Sequence, residues 1–529
     1  MTADAFSLSS SSPAPLRDIQ VPDKPNLDGL EEKWDQEWST SHVYAFDEDT
    51  TREQVYAIDT PPPTASGSLH VGHVFSYTHT DAIARFQRMR GKNVFYPMGW
   101  DDNGLPTERR VQNYYGVYVD TSLAYDPDFT PPYQGDAPRN RRPQPISRRN
   151  FVELCLALTT EDEKQFERDF RRLGLSVDWQ QTYQTISPTA QEVSQRAFLR
   201  NLARGEAYQM EAPTIWDVTF RTAVAQAEVE DRERPGAFHK IAFHKTDGSG
   251  TVVIETTRPE LLPACVALVA HPDDERYQPL FGSTVTSPIF GVEVPVVAHE
   301  LAQMDMGSGI AMICTFGDTT DVTWWRELNL PTRTVIGRDG RFRTEIPQAI
   351  TSEQGRAAYS ELTGLTVFSA QRKVVEMLEE SGDLIGEPEA ITHAVKFFEK
   401  GDRPLEIVSS RQWYLRNGGR DDSGQGLRHD LINRGEELTW HPPFMQSRYT
   451  NWVEGLHGDW LLSRQRFFGV PFPVWYPLND DGEVLYDSPL APSEDQLPID
   501  PSSDVPDGYT ADQRGEPGGF IGDPDVMDT

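Results

Sequence analysis

The chain has 529 residues, enough for two to four domains, and its 37% hydrophobic and 25% charged content is that of a soluble globular protein. A net charge of −33 argues against a general polyanion binder, whose affinity needs a positive field, and leaves room only for local basic patches. No run of about 18 apolar residues predicts a membrane span, and residues 1–15 lack the basic start and apolar core of a signal peptide. Cys155, Cys265 and Cys314 lie far apart and form neither a metal pattern nor a disulfide framework, so a reducing, cytoplasmic setting is expected.

Residues 1–45 read as a leader with one helix over about 30–39. A strand at 55–59, rich in β-formers, precedes the loop Pro61-Pro62-Pro63-Thr64-Ala65-Ser66-Gly67-Ser68-Leu69-His70-Val71-Gly72-His73. A helix follows over 71–90, with Val74, Phe75, Ala82, Ile83, Phe86 and Met89 as its apolar residues and Gly91 as its stop. A second strand at 93–98 completes a βαβ unit, which places the loop at the carboxyl end of a parallel sheet.

That position suits phosphate. Amides at a helix start are unpaired and the helix dipole is positive there. Gly67 and Gly72 let a ligand approach the backbone. His70 and His73, at i and i+3, project from one face of the first turn and could stabilise charge on a pentacoordinate phosphorus. A lone histidine here would more simply be an exposed or core-edge residue. Zinc is a third reading, with His79 as a further nitrogen, but no cysteine is near and no His-Glu-x-x-His occurs. The pair inside this loop favours nucleotide chemistry.

Between Asp120 and Asn150 lies a Pro-rich insertion carrying Arg139, Arg141, Arg142, Arg148 and Arg149, either a solvated loop or an RNA contact. Two punctuated helices come next, one from a Thr159/Thr160 cap to Leu173, the other capped by Ser187 with Pro188 at its first position and ending before Gly205. From about 211 to 345, β-branched runs at 251–256, 264–270, 284–289, 292–297 and 309–315 predict an inserted β-rich domain. Helical pattern returns over 352–382, and α/β texture from 403. The last 50 or so residues are Asp-, Pro- and Gly-rich, and are expected to be poorly ordered unless something packs on them.

These residues together resemble the class I aminoacyl-tRNA synthetases of the valine, isoleucine and leucine group, and the valyl family most closely. His70-Val71-Gly72-His73 resembles the His-x-Gly-His signature, and Pro61-Pro62-Pro63-Thr64 the valyl form of the segment before it. Gly99-Trp100-Asp101-Asp102-Asn103-Gly104 is similar to the Gly-x-Asp segment after the second strand, and residues 459–471 to the Trp-x-x-Ser-Arg-Gln block. Thr256-Thr257-Arg258-Pro259-Glu260 resembles the editing-domain signature.

The resemblance implies an α/β fold: a Rossmann-like parallel-sheet catalytic domain with an inserted β-rich editing domain. The expected division is a leader at 1–45, the first catalytic half at 46–210, and the editing domain at 211–346. A helical connection at 347–402, an incomplete second catalytic half at 403–476 and an acidic C-terminal segment at 477–529 follow. The implied partners are ATP with its accompanying Mg2+, valine and tRNA, for a monomeric, non-membrane, cytoplasmic enzyme without a protein metal site. Gly67, His70, Gly72 and His73 would bind ATP, with His70 and His73 assisting carboxylate attack on the α-phosphate. Pro62, Thr64, Trp460 and Phe468 would shape the amino-acid pocket, and Asp101 would take the ammonium. Thr256, Thr257 and Arg258 would line an editing pocket, with Asp318 and Asp321 holding a misattached threonine. Spacing alone would make Asp318 and Asp321 a turn and a helix cap. A pocket for an apolar side chain cannot strongly reject an isostere carrying a hydroxyl, which is why such a second site is useful.

Four positions depart from the family pattern: Thr64 for asparagine, Leu261 for threonine, Gly317 for histidine and Phe468 for tryptophan. No lysine follows Lys400, so the Lys-Met-Ser-Lys-Ser loop that clamps ATP in this class is absent from these residues. The expectation is therefore a fragment of a complete synthetase. A stand-alone deacylase, or a non-catalytic paralogue that binds tRNA or protein, is the alternative.

Overall fold

The computed structural model describes residues 24, 26–135, 143–225, 228–314, 317, 319–399, 401–417, 426–455 and 459–528. Helix α1 (Leu30–Ser41) buries no side chain. It is held by ion pairs from Asp35 to Arg171 at 3.4 Å and from Glu31 to Arg172 at 3.0 Å. Strands β1 (Val55–Ala57) and β2 (Asn93–Phe95) pair in parallel, with α2 (Val71–Met89) crossing between them. This is the βαβ unit expected from sequence.

The helix turns an unexpected face inward. Tyr77, Asp81 and Ala84 are buried, whereas Phe75, Ile83, Phe86 and Met89 are exposed. Asp81 accounts for the choice: it accepts hydrogen bonds from the Ser176 amide and hydroxyl, each at 2.6 Å, and pairs with Arg85 at 2.7 Å. A polar anchor, rather than the apolar stripe, sets the helix's rotation.

Strand β3 (Pro97–Trp100) is followed by α3 (Leu105–Tyr115), β4 (Val117–Val119), β5 (Gln144–Ile146) and α4 (Arg148–Arg172). Strand β6 (Asp178–Gln184) pairs in parallel with β3 across a bulge between Pro97 and Gly99, where a Cβ at Gly99 would overlap the Tyr183 ring. Phe166, Phe170, Leu175 and Val177 pack on Val94, Tyr96, Met98 and Trp100 beneath the β1–β2 unit. Helix α4 starts earlier than expected. Its cap is Ser147, whose hydroxyl accepts from the Asn150 amide, and Thr159 and Thr160 are interior residues whose hydroxyls donate to the Leu156 carbonyl. Helix α5 (Pro188–Arg204) begins and ends as expected, with Ser187 accepting from the Ala190 amide and Gly205 at its close.

A long antiparallel ribbon follows. Strand β7 (Ala207–Asp217) turns into β8 (Thr222–Ala223). Strand β9 (Val229–Lys245) then leads into β10 (Thr251–Thr256), β11 (Ala267–Ala270), β12 (Thr284–Thr286), β13 (Glu293–Ala298) and β14 (Ile310–Ile313). These form one sheet in the order β10-β9-β12-β13-β11-β14, with β11 and β13 parallel. Helix α6 (Thr319–Glu327) packs beside β14, while α7 (Glu353–Leu362) and α8 (Val367–Ser381) cover a core built on Ile241, Phe243, Ile254, Leu268 and Val296. Strand β15 (Glu389–Phe398) was not anticipated. It pairs along its whole length with residues 229–238 of β9.

Strand β16 (Glu406–Leu415) returns against β7, from Glu406 opposite Trp216 to Leu415 opposite Ala207. Helices α9 (Gly426–Glu436) and α10 (Met445–Gly455) precede β17 (Trp460–Leu461), β18 (Ser463–Arg464) and β19 (Trp475–Pro477). The acidic C-terminal stretch does find something to pack on. Its strands β20 (Phe520–Gly522) and β21 (Val526–Met527) pair with β19 and β18, and Phe520, Asp523, Val526 and Met527 are buried. No helix among the described residues is long and apolar enough to cross a membrane.

Candidate active site

The loop before α2 closes on itself. His70 is the N-cap residue, and its Nδ1 accepts from the Gly72 amide at 3.1 Å. His73 Nδ1 accepts in turn from the His70 amide at 3.4 Å, and the two rings stack with centroids 3.8 Å apart. A neutral imidazole accepting at Nδ1 carries its proton on Nε2, so each ring presents an N–H donor on its outer edge. Burial, and then the neighbouring His70, push the His73 pKa below the ordinary histidine value. The Gly67 amide, in a residue at φ +96°, donates to Asp162 at 3.0 Å. The Gly67, His70 and Gly72 amides of the loop thus already have acceptors within the protein.

On the adjoining strand end, Asp101 and Thr64 form a two-residue parallel bridge: Ala65 N–H donates to Asp101 O and Asp101 N–H to Pro63 O, both at 2.9 Å. The Thr64 hydroxyl donates to the Asp101 carboxylate at 3.1 Å. Pro62 is half-buried beside them, and Tyr77 fixes the proline run by donating to the Pro61 carbonyl at 2.6 Å.

Trp460 and Phe468 come from the other end of the chain. Trp460 is half-buried, and its indole N–H donates to Asp528 at 3.3 Å. Phe468 is buried among Val111, Tyr115, Phe151 and Ile186. The amides of Phe467 and Phe468 donate to Glu108 at 2.7 and 2.9 Å, and burial raises the pKa of that carboxyl. Asn103 and Gly104, just after Asp101, line one cavity with Phe468, Arg464, Arg466 and Asp528. Of the amino-acid candidates only Phe468 lines that cavity; Pro62, Thr64, Asp101 and Trp460 are not among its lining residues.

In the inserted sheet, Thr256 ends β10 and its hydroxyl accepts from the Arg258 amide at 3.0 Å. The Thr257 carbonyl accepts from Gln371 at 3.1 Å. Arg258 pairs with Glu260 at 3.0 Å and Glu406 at 2.7 Å, and donates to the Gly317 carbonyl at 3.3 Å. Burial opposes its charge, but the two carboxylates prevail and raise its pKa. Asp321, in the first turn of α6, accepts from the Cys314 amide at 3.1 Å and the Gly317 amide at 3.0 Å. Asp318 lies outside the described residues. The two family departures in this region are neighbours, since a Cβ at Gly317 would stand 3.6 Å from Leu261.

Of the basic cluster, Arg148 pairs with Asp500 at 3.0 Å, and Arg149 pairs with Glu153 at 3.4 Å and lies over the Tyr125 ring. Arg139, Arg141 and Arg142 are outside the described residues. Sequence reasoning missed Asp162, Glu163 and Glu108, all buried acids around the site. The signal was present for Glu163, which shares a helix face with Phe166 and Phe170 where an apolar residue is expected.

Comparison with known proteins shows the family. The family model for class I tRNA synthetases (I, L, M and V) matches residues 33–125 and 135–529. A Thermobifida fusca protein named Valine--tRNA ligase is 71% identical over 513 residues, covering 97% of this chain and 57% of the relative. One of the same name from Cutibacterium acnes is 64% identical over 531 residues, covering 100% of this chain and 60% of the relative. Among solved structures, the LeuRS chain of an Agrobacterium radiobacter LeuRS-tRNA-LeuAMS complex aligns with 94% of this chain and 57% of its own length, at 17% identity and a TM-score of 0.40. The chain spans under two thirds of the length of the curated relatives it matches. By its family match over most of its residues, the chain belongs to the class I tRNA synthetases.

Proposed function

We propose that this chain provides the ATP and amino-acid sites of a valine--tRNA ligase, together with an editing site in its inserted sheet. The observation that carries the synthetic reading is the stacked His70–His73 pair, on the same loop as the Thr64 hydroxyl that is bonded to Asp101. Two imidazole Nε2–H donors beside an α-phosphate would stabilise the charge that builds there as the valine carboxylate attacks. The Asp101 carboxylate, oriented by Thr64, would hold the valine ammonium. A magnesium ion would accompany the ATP phosphates.

The editing reading rests on Thr256, Thr257 and Asp321 at the edge of the inserted sheet, with Asp318 assigned by resemblance alone. Arg258 would support this pocket from beneath through Glu260 and Glu406. Calorimetric titration of the chain with a non-hydrolysable valyl-adenylate analogue tests the synthetic site. Micromolar binding that falls at least tenfold in both His73→Gln and Asp101→Asn is expected. Equal affinity in the three proteins would overturn the assignment.

A further inference from the structure

Two consecutive acids on α4 reach the two ends of the candidate site. Asp162 takes the Gly67 amide and the Arg110 guanidinium, the latter at 3.0 and 3.1 Å. Glu163 accepts from Gln184 Nε2 with both oxygens, at 2.9 and 2.7 Å, and faces the carboxyl of Asp102.

Asp102 directly follows Asp101 and is fully buried. Neither of its carboxylate oxygens has a donor among the described residues. Its main chain is held, because the Asp102 amide donates to Thr185 Oγ1 at 3.1 Å and Asn103 Nδ2 donates to the same oxygen at 3.0 Å. As carboxylates, Asp102 and Glu163 would be two acceptors facing each other with no hydrogen between them. A buried arrangement of that kind is strongly unfavourable. One proton between them supplies the missing donor and removes half the charge.

We propose that Asp102 and Glu163 share a single proton, and that this pair positions the Asp101 carboxylate for a substrate ammonium. The positioning claim rests on the reading of Asp101 given above; the proton-sharing claim does not. Burial first, then Glu163 and Asp101, push the Asp102 pKa up to about 8. Burial also raises Glu163, opposed by its hydrogen bonds with Gln184 and Asp102 and then by Lys164, and reinforced by Glu167. Neither member of the pair touches substrate. Both are positioning residues.

Above about pH 8 the proton leaves, the two buried charges repel, and the strand end carrying Asp101 loses its backing. An Asp102→Asn side chain donates to Glu163 at every pH. Its valine affinity should match wild type within about twofold at pH 7 and exceed it by about fivefold at pH 9. Valine's own amine titrates in both proteins and cancels in the comparison. The experiment is calorimetric titration of the full chain with valine between pH 6.5 and 9.5, for wild type, Asp102→Asn, Glu163→Gln and Asp101→Asn, with thermal unfolding followed alongside.

Because a buried acid keeps its proton in the folded state after the unfolded chain has lost it, wild-type stability relative to Asp102→Asn should fall as pH rises from about 4 to about 8, then level. A relative stability flat over that range overturns the shared proton. Parallel loss of valine affinity in wild type and Asp102→Asn above pH 8 overturns the positioning role. Undiminished valine binding by Asp101→Asn, or none by wild type, overturns the ammonium reading and the positioning claim with it, while the stability profile still decides the pair. Glu163→Gln should reproduce the Asp102→Asn behaviour from the other side.

Discussion

Arg258 and Glu406, 148 residues apart in sequence, meet at 2.7 Å. The contact joins the Thr-Thr-Arg-Pro-Glu segment of the inserted sheet to the first residue of β16, the strand that pairs with β7. Glu260 completes the cluster, and both carboxylates are nearly inaccessible to water. Removing a single partner from such a group leaves the others charged and buried.

Arg258→Ala should therefore cost about 3 kcal/mol of stability, whereas the triple change of Arg258→Met with Glu260→Gln and Glu406→Gln should cost less than the single one. Urea denaturation followed by tryptophan fluorescence measures both. A triple variant weaker than the single one would show that the charges themselves are needed.

Asp321→Ala leaves the Cys314 and Gly317 amides without their acceptor and should cost about 2 kcal/mol. Asp321→Asn keeps a carbonyl oxygen in place and should cost less than half of that. If Asp321 also grips a substrate, Asp321→Asn will abolish hydrolysis of threonyl-tRNA while leaving the urea midpoint nearly unchanged. Retained hydrolysis in Asp321→Asn would reduce the residue to a cap.

The His73 pKa lies below the ordinary histidine value, so the folded chain favours the neutral ring. The associated stability is present above the ordinary histidine pKa and is lost as pH falls through the lowered one. The melting temperature of wild type relative to His73→Gln should drop by about 1–2 °C between pH 7.5 and 5.5. Differential scanning calorimetry at the two pH values is sufficient.

Phe468→Ala empties a fully enclosed core position and should cost about 3–5 kcal/mol, while Trp460→Ala, half-exposed, should cost about 1–2 kcal/mol. Valine titration of the two variants distinguishes a wall of the pocket from its support. Weaker binding by Trp460→Ala, at a smaller loss of stability than Phe468→Ala shows, is expected.

The βαβ unit and the Ser187–Pro188 helix start were legible because each depends on neighbours in sequence: a strand pattern, a cap, a stop. The start of α4 was not. Thr159 and Thr160 followed by acids imitate a cap, and only the carbonyl of Leu156 one turn back shows that they lie inside a helix. Strand β15 escaped notice because its partner, residues 229–238, carries charges together with Pro235 and Gly236 and is largely open to solvent, so it shows no apolar alternation. In the candidate site, the phosphate loop and Asp101 stood out as motifs. The carboxyls behind them did not, because an acid's role as a brace depends on residues brought near only by folding.

The paired strands at the root of the insertion imply that it can be removed. Val229 and Phe398 stand side by side at the far end of the stem, and one step before them the Glu399 amide donates to the Glu228 carbonyl at 3.0 Å. The chain enters and leaves the inserted sheet through adjacent doorways, so joining residue 228 to residue 399 would excise the whole sheet with no gap to bridge. Such an excision would remove Arg258 from beside Glu406 and leave β7 and β16 still paired, so the remaining strands could be studied apart from the inserted sheet.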